Sequence, residues 1–187
     1  MHINNYKKIM TRFIFSEMAN ADDDEVFVID MIDYPGYAIH SNGSVENTKT
    51  GRTLKPRIIN GGYYHVDLKN RDGNYKNVYV HKLVARYFIK NPDKKRCIDH
   101  IDRDRLNNDY RNLRWATYLE NSRNHSKRSD NTSGYIGVCW NKKANKWKVQ
   151  IKVNGKNIYI GVYDDIEDAK RARAEKVELY FGEYGNE

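Results

Sequence analysis

The stretch "RCIDHIDRDRLNNDYRNLRWATYLENSRNH", residues 96–125, decides how this chain is read. It opens on a short apolar run, "CIDH", that ends in a carboxylate and an imidazole side by side, Asp99 and His100. "NLRWAT" can form a second strand and "YLENSRNH" can start a helix, so the order is strand, loop, strand, helix. If the strands pair and the helix packs on them, Asp99 and His100 can face Asn121 from more than 20 residues away in sequence. A carboxylate and an amide oxygen are hard ligands, suited to Mg²⁺ or Mn²⁺ better than to zinc. His100 is then available as a base, because an imidazole with an ordinary pKa of about 6.5 can take a proton from water at neutral pH.

Outward from this stretch, composition bounds the partners. The 187 residues carry a formal charge of +8, yet 39% are apolar and 15 are tyrosine. That is a folded basic protein rather than a basic tail, and its natural partner is an anion such as a nucleic acid backbone. A membrane partner is disfavoured: no apolar run nears the roughly 18 residues a span requires, and Val26 to Ile32 is broken by Asp30. The two cysteines, Cys97 and Cys139, form no C-x-x-C pair. With no signal peptide evident, they indicate an intracellular, reducing compartment and exclude a disulfide framework or a four-cysteine zinc site.

Residues 1–24 read as a loosely ordered arm containing "NADDDE". From 25 to 80, short runs alternate with Asn-Gly, Gly-Gly and Asp-Gly turns, the mark of small antiparallel strands. "HKLVARYFI" follows with Leu83, Val84, Tyr87 and Phe88 at helical spacing and Pro92 beyond it; His81 reads as a packing residue. Residues 81–125 hold this helix and the opening stretch, and 126–133 form a basic linker. Residues 134–187 read as three strands and one helix. Trp147, Val149, Ile151 and Val153 alternate with Lys148, Gln150 and Lys152, Asn154-Gly155 makes a hairpin, and Asp164 is the candidate helix N-cap. Ile166, Ala169, Ala172, Val177 and Tyr180 can cover one face of the sheet, which leaves the face bearing Lys148, Gln150, Lys152 and Tyr159 without a partner.

"DHIDRDRLNNDYRNLRW" followed by "EN" resembles the HNH motif of ββα-metal homing endonucleases. His100 matches the first histidine, Asn112 the central asparagine, and Asn121 the third position, where this subgroup carries Asn. The resemblance implies that Asp99 and Asn121 hold a metal ion, Mg²⁺ or Mn²⁺, that His100 is the base, and that Asn112 braces the loop. Asp102 and Asp104 read as loop residues within reach of a supporting contact, while Asn107 and Asn108 receive no role.

Residues 134–183 resemble the APETALA-2/ERF domain, a three-stranded sheet on one helix that reads DNA through its sheet face. That likeness points to Trp140, Lys142, Gln150, Lys152 and Tyr159 as DNA-facing, with Lys148 added by alternation; solvation of an exposed sheet face is the competing explanation. Residues 25–68 resemble a NUMOD-type module, in which Arg52, Lys55 and Arg57 form a basic hairpin for phosphate contact or a solvated surface. Arg123, Lys127 and Arg128 are candidates for backbone contact along the linker. The expected fold is α+β: a small antiparallel N-terminal sheet, a central ββα-metal unit, and a C-terminal three-stranded sheet packed on one helix. The resemblance implies a metal-dependent endonuclease of a phage or other mobile element, hydrolysing phosphodiester bonds in duplex DNA and nicking one strand as a monomer. No membrane or small-molecule substrate is expected. A catalytically inactive DNA-binding regulator and an RNA-binding protein are the alternatives.

Overall fold

The computed structural model describes residues 18, 22, 25–59, 61–124, 127 and 129–185. Nearly all of the arm expected over 1–24 lies outside these residues, as do His125 and Arg128. The chain divides into two compact units, Met1–Ala116 and Thr117–Glu187.

The first unit begins with an antiparallel sheet of β1 (Val28–Asp30), β2 (Tyr37–His40), β3 (Val45–Asn47) and β4 (Arg52–Thr53), hydrogen bonded in that order. A second antiparallel sheet joins β5 (Arg57–Ile59), β6 (Tyr63–Lys69) and β7 (Tyr75–Tyr79). Along β6, Val66 and Leu68 are buried while Asp67 and Lys69 are exposed, the period-two pattern of a strand with one covered face. Helix α1 (Val80–Phe88) buries Val80, Leu83, Val84 and Phe88 and exposes Lys82 and Arg86, as its apolar spacing dictates. It stops where Ile89 turns extended and its N–H donates to the Ala85 carbonyl. A two-stranded ribbon, β8 (Cys97–His100) and β9 (Leu113–Ala116), completes the unit. One core runs through all of it: Met31, Ile39 and Val45, then Val66 and Leu68, then the α1 residues, then Leu113 with Ile98 and Tyr110 packed on it.

In the second unit, α2 (Tyr118–Arg123) precedes a sheet of β10 (Val138–Asn141), β11 (Lys146–Val153) and β12 (Lys156–Tyr163), followed by α3 (Ile166–Phe181). The α+β class expected from sequence is the class observed. Asn154 and Gly155 take φ of 49° and 82°, the paired positive angles of a two-residue hairpin turn. Four details differ. The α3 N-cap is Asp165, whose side chain accepts from the Glu167 N–H, while Asp164 pairs with Lys146 at 2.9 Å. The buried stripe of α3 is Ala169, Arg173 and Val177, four residues apart, and Tyr180 is exposed. Asn131 and Ser133, read as linker, are hydrogen bonded: Asn131 accepts from the Gly134 N–H and Ser133 donates to the Val138 carbonyl. Trp140 pairs across the strands with Trp147, their rings 5.0 Å apart, so it shares the face of Val149 and not that of Lys148 and Gln150.

His81 lies on the buried face of α1, and its Nδ1 is enclosed with no hydrogen-bond partner among the described residues. Burial above all, and then the charges of His100, Lys82 and His65, push its pKa down to about 3. An unfolded histidine titrates near 6.5, so between pH 6.5 and about 3 the unfolded chain binds the extra proton. Stability from this group is fully present above pH 6.5 and is lost as pH falls, by at most about 1.4 kcal/mol per unit. His81→Phe should therefore flatten the acid sensitivity, measured as the shift in urea midpoint between pH 7 and pH 4.5; an unchanged shift would place that sensitivity elsewhere. In the same core, Phe88→Ala should cost about 3–5 kcal/mol in urea unfolding at pH 7.

Candidate active site

The ribbon sets the positions of the first two residues. In its antiparallel register Asp99 lies opposite Arg114 and His100 opposite Leu113, and both Asp99 and His100 are buried. Arg114 grips the carboxylate through Nε and Nη2, at 2.9 and 2.8 Å, both on Oδ2. The Asp99 side chain is only 5% exposed, so the guanidinium supplies charge compensation that water cannot.

Between the strands, residues 101–112 form a loop closed by Asn112. Its Nδ2 donates to Asp102 Oδ1 and to the Asn107 carbonyl, both at 2.9 Å, while its Oδ1 accepts from the Asp102 N–H at 3.0 Å. This supports the bracing role expected for Asn112. Asp102 also accepts from the Asp104 N–H at 2.8 Å and from Asn107 Nδ2 at 2.7 Å. Partial burial alone would raise the Asp102 pKa; hydrogen bonds from Asn107, Asn112 and the Asp104 amide, with the charge of His100, outweigh it and lower it.

His100 meets Asn108 through Nε2 at 3.3 Å. Tyr63 and His81 wall the imidazole, with ring centres 5.9 and 5.4 Å away, and Arg105 lies 5.0 Å over the Tyr63 ring. Burial drives the His100 pKa below its ordinary value; the Asn108 contact and the charges of Asp102, Asp99 and Asp104 oppose it without cancelling it. The imidazole is therefore neutral at neutral pH, the form in which it can accept a proton. Arg114, Asn107 and Asn108 were not assigned from the sequence. Arg114 needed the strand register, and the adjacent asparagines inside a loop framed by Asp102 and Asn112 were the signal for the other two.

Among the described residues no group of three His, Cys, Asp or Glu side chains is placed to hold a metal. A Mg²⁺ site needs fewer, since that ion keeps several waters and uses one or two carboxylates with substrate phosphate. Asp99 fits as such a hard, buried carboxylate. Asn121 is exposed on α2 of the second unit.

The other candidates are distributed as follows. Arg52 sits on β4 and Arg57 on β5, strands of different sheets, so with Lys55 between them they do not form a hairpin, and Arg57 is ion-paired to Asp67. In the second unit Arg123 lies 4.6 Å over the Phe181 ring and Lys127 donates to the Gly134 carbonyl at 2.7 Å. Lys142 is exposed after β10, and Lys148, Gln150, Lys152 and Tyr159 share one sheet face, with Gln150 opposite Tyr159.

Residues 78–123 match the HNH endonuclease family. An uncharacterized HNH endonuclease, L245, of Acanthamoeba polyphaga mimivirus is 39% identical over 50% of this chain and 27% of its own length. The DNA endonuclease I-HmuI of Bacillus phage SP01 is 36% identical over 53% of this chain and 57% of its own. A solved structure described as DNA binding and cleavage by the HNH homing endonuclease I-HmuI has a TM-score of 0.48 and 28% identity, covering 81% of this chain and 87% of that one. The chain thus spans only 27% and 57% of the lengths of L245 and I-HmuI. Over residues 78–123, the segment that matches the HNH endonuclease family, the strand-loop-strand-helix order and the Asn112-braced loop after Asp99-His100 agree with that match.

Proposed function

We propose that the chain is a metal-dependent DNA endonuclease of the homing type, hydrolysing phosphodiester bonds in a specific duplex site. The observation that carries this is His100: a buried imidazole, its pKa lowered by burial, beside a buried carboxylate at the end of β8, where the loop fixed by Asn112 begins. His100 acts as the base that takes a proton from the attacking water. Asp99 and Asn121 would hold Mg²⁺ or Mn²⁺, which when bound neutralises charge on the phosphate and the leaving oxygen. The assignment of Asn121 rests on the sequence resemblance. The products carry 5′-phosphate and 3′-hydroxyl ends, and a monomer with one such constellation nicks one strand per encounter.

The N-terminal module over 25–80, the nuclease segment over 81–125 and the APETALA-2/ERF-like segment over 134–187 form the functional division we propose, within a mobile element such as a phage. Lys148, Gln150, Lys152 and Tyr159 present a polar, cationic sheet face to DNA, joined by Lys142 in the adjoining turn. Arg52, Lys55, Arg123 and Lys127 are further phosphate contacts. Arg57 contributes less while its charge is offset by Asp67. Trp140 serves the packing of its own sheet first, and its exposed edge is what DNA could meet.

A plasmid-nicking assay on the cognate target separates nuclease from inactive DNA-binding protein. Wild type with Mg²⁺ should nick, and His100→Ala should lose about 10²- to 10⁴-fold, the usual contribution of a positioned base. Absence of cleavage in both would leave the DNA-binding reading standing. Lys152→Ala should weaken binding and lower the salt slope of log K by about one unit if Lys152 contacts phosphate. Unchanged affinity and slope would remove it from the interface.

A further inference from the structure

Asn108 is buried within the first unit, only 4% exposed, and its orientation is fixed by chemistry. Nδ2 donates to the Leu106 carbonyl at 3.1 Å, so it is Oδ1 that meets His100 Nε2 at 3.3 Å. A carboxamide oxygen only accepts, so this contact is a hydrogen bond when Nε2 carries the hydrogen. In the neutral ring the lone pair then resides on Nδ1. At 3.3 Å the bond is long, and a small displacement of Asn108 would abolish it.

The turn between β2 and β3 packs against Asn108. Gly43 takes φ +91°, and a Cβ there would fall 2.8 Å from the Asn108 Cβ and 3.3 Å from its carbonyl oxygen. The backbone of the turn therefore lies directly against Asn108, with no room for a methyl group. The turn is itself held: Gly43 N–H donates to the His40 carbonyl at 3.0 Å, and Ser44 N–H to Asn42 Oδ1 at 2.9 Å. Two residues past Asn108, the Tyr110 N–H donates to the carbonyl of the fully buried Ser41 at 2.8 Å, tying the loop to the same turn.

We propose that this turn belongs to the apparatus that orients the base: Gly43 seats Asn108, and Asn108 holds His100 in the tautomer with hydrogen on Nε2 and the lone pair on Nδ1. The inference rests on reading His100 as the base, and it makes positioning residues of Asn108, in the loop after His100, and of Gly43, in an N-terminal segment otherwise assigned to DNA contact. It gives "SNGS", which in the sequence is only a turn, a consequence for proton transfer.

The test reads the tautomer directly, in the full, metal-free chain labelled with ¹⁵N histidine, from two-bond ¹H–¹⁵N correlations of the His100 ring at pH 7.5. Wild type should show the Nε2–H form. Asn108→Leu and Gly43→Ala should shift His100 toward a mixture or the Nδ1–H form, and kcat for nicking should fall about 10- to 100-fold, a part of the 10²- to 10⁴-fold a base supplies, with KM within twofold. Gly51→Ala is the control: Gly51 also has a positive φ, +66°, but a methyl group there would meet nothing within 4 Å, so the variant places a side chain on left-handed backbone without the contact. It should leave tautomer and kcat unchanged. The proposal is overturned by an Nδ1–H form in wild type, a result that requires no variant to fold. Equally, an unchanged tautomer and kcat in both Asn108→Leu and Gly43→Ala would sink it. If wild type shows the Nε2–H form but nicks no DNA, the nuclease reading fails while the positioning chain stands.

Discussion

The side chain of Asn112 is the constraint on which the site depends. Two four-residue strands joined by a long loop do not hold themselves, because an isolated two-stranded hairpin is marginal in water. Asn112 closes that loop at its far end with three hydrogen bonds, two of them to Asp102 and one to the Asn107 backbone. Asp102 passes the restraint on through Asn107 and the Asp104 amide. Asn107, Asn112 and Asp102 find partners inside the loop, and the ends of β8 and β9 are kept in register with His100 opposite Leu113.

That closed loop is useful only because something rigid lies behind it. Leu113, Ile98 and Tyr110 join the same core as α1 and the two N-terminal sheets, and Trp115 donates through Nε1 to the Ile89 carbonyl at the end of α1. The ribbon therefore borrows its stability from residues as far back as Met31. A small ribbon and loop, too short to bury a core of their own, are stabilised by the elements that precede them in the chain.

How much of this was legible in the sequence follows from the range of the interactions involved. Strands, turns and α1 were legible, because period-two alternation, Asn-Gly dipeptides and i, i+4 spacing are local signals. The bracing role of Asn112 came from family likeness, and the hydrogen bonds support it. The Asp99–Arg114 pair was not legible, because a loop of this length does not fix strand register, and register alone brings residue 114 opposite 99. Trp140 was misplaced for the same reason: only the pairing with Trp147 shows which face it occupies. The shift of the α3 N-cap from Asp164 to Asp165 is a choice between two adjacent, equally suited aspartates. Asn108 received no role from the sequence because its close approach is to a turn 65 residues earlier in the chain.

The electrostatics of His100 show why such a site combines burial with so many carboxylates. Burial alone would leave an imidazole that is neutral but reluctant to hold a proton, and therefore a weak base. Carboxylates alone would raise its pKa until it was already protonated at neutral pH and unable to accept another. Here burial is the largest effect and favours the neutral ring, while the Asn108 contact and the charges of Asp102, Asp99 and Asp104 favour the imidazolium. Asp102 can do this because Asn107, Asn112 and the Asp104 amide stabilise its own charge. The hydrogen bonds that close the loop are thus the same ones that keep a negative charge near the imidazole. Shape and proton affinity at this site have a common origin in one asparagine and one aspartate.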